Sequence, residues 1–205
     1  MRFVTALRNW SFGVAFLCAG AVLAQPPAST PQNMKQQQPW NLVGVDAQLQ
    51  QGINTRNAHL GQSIEARLYR SVETANGTRL RRGTALSGKI ERVQASTNHG
   101  PAVLSVVFTK AQLRNGRTIP VKVTIIGAYP ADEAQLIVDG DRTIPPAPRH
   151  IGDKASFDQE PGSLHHVSLH SAVQNSDSAT FRDERGNLKL RDGTFLQIGI
   201  ASRRG

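Results

Sequence analysis

The chain has 205 residues, with 24 Lys and Arg against 15 Asp and Glu, a net charge of +9 and only 5% aromatic residues. Its one cysteine, Cys18, excludes a disulfide framework and any multi-thiolate metal site. The charge is local: residues 61–125 hold eleven basic and three acidic residues, a net +8, whereas residues 126–205 carry a net −2. An acidic partner implied by this balance would meet one segment of the chain.

Arg2 and Arg8 precede the apolar run FGVAFLCAGAVLA over residues 12–24, which closes on small residues. A basic head, a short apolar core and a small-residue exit predict a signal peptide over residues 1–24. The run is shorter than the about 18 apolar residues that span a bilayer. Cleavage after Ala24 leaves a mature chain without a thiol or a transmembrane helix, in the periplasm, in the outer cell envelope or secreted. Residues 25–43 open with QPPASTPQNMKQQQPW. This composition buries too little to offset its ordering entropy and reads as a disordered linker.

From residue 44 the period is two. The short stretch DAQLQQ, residues 46–51, gives a weak helical hint. After it, Ile64, Ala66 and Leu68 alternate with Glu65, Arg67 and Tyr69. Leu86, Gly88 and Ile90 alternate with Ser87, Lys89 and Glu91, and Leu104, Val106 and Phe108 with Val107 and Thr109. Val121, Val123 and Ile125 alternate with Lys122 and Thr124, Leu188 and Leu190 with Lys189 and Arg191, and FLQIGI over residues 195–200 is the last strand. Such alternation marks half-buried strands. Asn76-Gly77, Asn115-Gly116 and Asp192-Gly193 supply positive φ between them, with further turns at Arg82-Gly83 and Gly186-Asn187. Pro120 lacks an N–H and belongs at a strand start or edge. Residues 131–162, with Pro145, Pro146, Pro148 and Pro161, read as a Pro-rich polar loop. The expected fold is all-β: a small single-domain β-barrel or sandwich over residues 44–203, interrupted by that loop.

The stretches HLGQSIEARLYRSVETANGTRLRRGTALSGKIERV and LSVVFTKAQLRNGRTIPVKVTI carry a resemblance. A Gly opens an alternating strand (Gly61 to Ala66), a Gly-Thr-x-Leu-x-Gly step follows (Gly83, Thr84, Leu86, Gly88), and a strand ends in a basic-Gly turn (Arg114, Asn115, Gly116, Arg117). The closing LKLRDGTFLQIGI matches a final strand. In these features the chain resembles the β-barrel domain of TrbI-like proteins, the core proteins of conjugation and type IV secretion. It resembles more closely small exported acidobacterial proteins of unknown function that carry a similar domain. The resemblance covers residues 44–130 and 163–202 and implies a barrel fold. The chain departs from the pattern at Arg81, where a Pro is usual, and shows no helical antenna insertion.

Few residues suggest chemistry. LHHVSLH, residues 164–170, places His166 and His170 at i, i+4 for a helix, or His166, Ser168 and His170 on one strand face. The Glu of a zinc-protease helix is missing, so a solvated strand or loop is expected, with no metal. There is no Gly-x-Ser-x-Gly elbow, Ser-x-x-Lys or Gly-rich phosphate loop. Asp132-Glu133 and Asp183-Glu184 read as solvated charge, and Asn76-Gly77-Thr78 as a plain turn. Arg67, Arg79, Arg81, Lys89 and Lys122 occupy polar strand phases and Arg82 a turn; together they form a candidate polyanion-binding face. The competing reading is a solubilising outer surface. The sequence thus predicts a non-enzymatic, exported envelope module without a cofactor. Its expected partner is another envelope protein or an acidic polymer, and its oligomeric state is left open.

Overall fold

The computed structural model describes residues 40–98, 100–132, 147–148, 151 and 156–202. The expected signal peptide, the linker up to residue 39 and most of the Pro-rich loop before residue 156 lie outside the described residues. The strands are β1 (Val43–Leu49), β2 (Ile53–Asn54), β3 (Ser63–Leu68), β4 (Val72–Glu73), β5 (Arg79–Leu80), β6 (Ala85–Gln94) and β7 (Ala102–Gln112). They continue with β8 (Thr118–Tyr129), β9 (Ser156–Leu164), β10 (Val167–Ala172), β11 (Ala179–Asp183), β12 (Lys189–Leu190) and β13 (Phe195–Ser202).

Six of these close an antiparallel barrel in the order β6-β3-β1-β13-β8-β7, with β6 pairing back to β7. Alternation decides what faces in. Ile64, Ala66 and Leu68 of β3, Leu86 and Ile90 of β6, and Val123 and Ile125 of β8 are each at most 2% exposed and share one core. Gly88 sits at a register shift between β6 and β7. A Cβ there would stand 2.2 Å from the Val107 carbonyl oxygen, so glycine lets the bulge bend the strand inward. Closure leaves the barrel sheet itself no free edge between these six strands.

Each mouth of the barrel is capped. The ribbon β4–β5 lays fully buried Leu80 over one end. The ribbon β2–β12 brings Ile53, Leu188 and Leu190 to the core. Thr55 and Leu188 lock the second cap by reciprocal bonds: the Thr55 N–H donates to the Leu188 carbonyl at 3.0 Å, and the Leu188 N–H to Thr55 Oγ1 at 3.0 Å. The first cap is fastened to the end of β13, where Asn76 Nδ2 donates to the Ser202 carbonyl at 2.7 Å and the Thr74 and Ser202 hydroxyls meet at 2.9 Å. The Asn76-Gly77-Thr78 turn therefore has its Asn amide engaged in this latch.

β7 forks. Its C-terminal end pairs with β8 only over residues 110–112 and 118–120, and its N-terminal end pairs with β11. Ser178, fully buried, fills the fork. Its N–H donates to the Val106 carbonyl (2.7 Å), its carbonyl accepts from the Ile125 N–H (2.8 Å), and its Oγ accepts from the Phe108 N–H (3.0 Å). Val107, on the polar phase in the sequence, is buried as well. From β11 the sheet continues through β10 to β9, which returns to β8: the Gln159 side-chain amide exchanges two bonds with the Ala128 backbone, at 2.7 and 2.8 Å.

Three expectations change. Residues 46–51 are not helical: β1 runs to Leu49, because Val45, Ala47 and Leu49 fill the core while β13 and β3 take its backbone groups. Residues 156–162, the end of the expected Pro-rich loop, belong to β9. Leu42, within the expected linker, is buried with Ile151, Phe157, Val173 and Ala201 in a second cluster outside the barrel. This outer layer explains why β13 is buried on both faces. The glycines Gly44 and Gly199 face each other in register beneath it. A Cβ on Gly44 would lie 1.7 Å from the Pro148 carbonyl oxygen, and one on Gly199 2.2 Å from Ile151 Cδ1.

The turns are those the glycines require. Gly77, Gly83, Gly116 and Gly193 all have φ between 75° and 83°. Pro120 lies near the start of β8, opposite Lys110.

Candidate polyanion interface

Two turns meet where β6 begins and β7 ends. In the first, the Thr84 N–H donates to the Arg81 carbonyl at 3.0 Å around Arg82 and Gly83, and positive φ at the third position makes this a type II turn. In the second, the Gly116 N–H donates to the Leu113 carbonyl (2.9 Å) and the Leu113 N–H to the Arg117 carbonyl (2.8 Å). That is a type I turn closed by a glycine bulge. Ala85 pairs with Gln112 in register, which sets the two turns side by side.

Between them opens a cleft of about 330 Å³ lined by Arg79, Arg81, Thr84, Leu113, Arg114 and Asn115. No acidic side chain lines it. Arg79 stands across the ribbon from Glu73 without an ion pair, and among the described residues none of the three arginines pairs with a carboxylate.

The other expected residues are placed differently. Arg67 is outward on β3 and pairs with Glu65 at 3.0 Å. Arg82 turns its guanidinium over the Tyr69 ring, 5.4 Å from the centroid, and Tyr69 packs edge-on against Phe195 at 5.7 Å. Lys89 faces out from β6, opposite Ser63. It is four residues, roughly 13 Å, along β6 from Ala85, the partner of Arg67. Lys122 is half-buried beneath the β10–β11 connection, where its ammonium donates to the carbonyls of Asn175 and Asp177. Burial lowers its pKa below the ordinary 10.5, with Asp177 and Glu91 partly opposing the shift. The structure thus brings together Arg79 and Arg81 of the six and adds Arg114. In the sequence Arg114 is only a turn residue; the register of β6 against β7 that carries it to Arg81 has no local signal.

The histidines do not converge. His165 and His166 form the two-residue link between β9 and β10, with His165 at φ 57°, a conformation that His tolerates better than most side chains. His166 Nε2 lies 3.5 Å from Arg185, and His170 Nδ1 is 2.6 Å from Asp158, with both members of that pair exposed. Among the described residues no group of three His, Cys, Asp or Glu side chains could hold a metal ion. Asp183 and Glu184 serve local roles, accepting from the Arg185 N–H and from Arg182, whose pKa the Glu184 hydrogen bond and charge raise.

No helix among the described residues is long and apolar enough to cross a membrane. No protein-family model matches the chain, and no curated protein matches it.

Proposed function

We propose that this chain is an exported, non-enzymatic interaction module of the cell envelope, with its barrel as a scaffold in the manner of the TrbI-like domain it resembles. The observation that supports this reading is a barrel filled by its own side chains. Leu49, Leu68, Leu86, Ile90, Leu104 and Ile125 are each at most 2% exposed, and both mouths are capped. A packed interior leaves the outer surface for recognition. The test is chemical crosslinking of the native protein in its envelope. A discrete crosslinked species supports the module, and uniform, unspecific crosslinking contradicts it.

A second reading, that the partner is an acidic polymer or surface, draws support from the cleft of Arg79, Arg81 and Arg114. Binding of an acidic polymer by this route falls steeply as ionic strength rises from low to moderate. Binding indifferent to salt contradicts it.

A further inference from the structure

We infer that the cleft between the 81–84 turn and the 113–117 turn is a discrete site for a phosphoryl group, held by Arg79, Arg81 and Arg114. The inference deepens the acidic-partner reading above and rests on it. Three like charges around one cleft repel one another unless an anion joins them, and no carboxylate of the protein lines this one. Arg67, Arg70 and Arg182, by contrast, each have a carboxylate within 4 Å.

The neutral groups of the cleft point to the same ligand. Thr84 is only 6% exposed, and its backbone is committed to the turn and to the Leu68 N–H. Its side chain lines the cleft wall, and its hydroxyl can rotate to act as a donor. Asn115 accepts the Arg117 N–H on Oδ1 at 3.1 Å, and this fixes the side chain with Nδ2 as an available donor. Three guanidiniums, an amide N–H₂ and a hydroxyl make a donor-rich wall without a carboxylate. A single carboxylate can occupy one guanidinium fork, whereas a tetrahedral phosphoryl group offers oxygens to several. The volume, about 330 Å³, leaves room for the molecule that carries the group.

The backbone is suited to hold such a group. Both turns are hydrogen-bonded and anchored on the paired starts and ends of β6, β7 and β8. Arg79 and Arg81 flank fully buried Leu80, which pins the chain between them. The backbone positions that carry the donors are therefore set before a ligand arrives.

Isothermal titration of the purified protein with inorganic pyrophosphate at low salt tests the site. It is repeated with vesicles that do or do not carry a phosphomonoester lipid. Arg79→Gln, Arg81→Gln and Arg114→Gln should each weaken pyrophosphate binding about tenfold, in line with the loss of one charge-assisted pair. Arg92→Gln, an equal change of charge at an exposed site on β6 away from the cleft, should change it less than twofold. Binding to soluble pyrophosphate assigns a soluble ligand. Arginine-dependent binding only to phosphomonoester vesicles assigns a membrane-borne one. Salt-sensitive binding lost equally in Arg92→Gln and the cleft variants overturns the site but leaves the acidic-partner reading standing. No salt-sensitive binding to either probe overturns both.

Discussion

Three hydrogen bonds converge on Ser178, and two residues nearby show how much depends on single polar atoms in the outer layer. Ser178→Ala strips the Phe108 N–H of its acceptor inside a fully buried fork, so unfolding in urea should show a loss of about 1–3 kcal/mol. Thr124 is the opposite case. Its hydroxyl is buried without a protein partner, and Thr124→Val should raise stability by about 1 kcal/mol in the same measurement. Lys122 gives a pH dependence of known sign. Its folded pKa is lowered by burial, so between that value and 10.5 the unfolded chain binds more protons. Stability then rises with pH through that window. Wild type should therefore gain on Lys122→Met as pH climbs from neutral towards 10.5; a constant difference would remove desolvation as the cause. At this scale the sequence was legible where backbone geometry is local. Gly77, Gly83, Gly116 and Gly193 all supply positive φ at dipeptides that announce it. Gly44 and Gly199 announced nothing, because what forbids a side chain there is Pro148 and Ile151, brought from a distant segment.

Strand periodicity was readable wherever one face meets water, as in β3 with its buried Ile64, Ala66 and Leu68. It failed where tertiary contacts cover both faces. DAQLQQ has a helical composition, yet pairing with β13 and β3 draws Asp46, Ala47 and Gln48 into β1. β9 was hidden for a related reason: it has no alternating apolar face and depends on Gln159 gripping Ala128. Replacing Gln159 by Leu keeps the bulk and removes both bonds. Hydrogen exchange should then speed at the Ala128 amide by at least tenfold while amides of β3 are unaffected. Asn76→Ala should release the β4–β5 ribbon from Ser202 in the same way, with faster exchange in that ribbon and little change in β13.

Across the whole molecule short strands and tight turns pointed to a small barrel or sandwich, and β6 pairing with β7 makes it a closed barrel. The candidate face was legible only in part. The charge segment was plain, but which of its members converge depends on register. Arg67 and Arg82 are held by Glu65 and Tyr69, Lys122 is beneath the β10–β11 connection, and Arg79 and Arg81 meet Arg114 across the sheet. In the proposal above, recognition takes place at this end of the barrel, on the outer surface. Site-specific photocrosslinking in the native envelope tests that placement most directly, with the reactive group at exposed Arg117 beside the cleft or at exposed Lys189 on the opposite cap. The prediction is a discrete adduct from position 117 that disappears with Arg81→Gln, and none from position 189. Adducts of equal yield from both positions, or none from position 117, would contradict it.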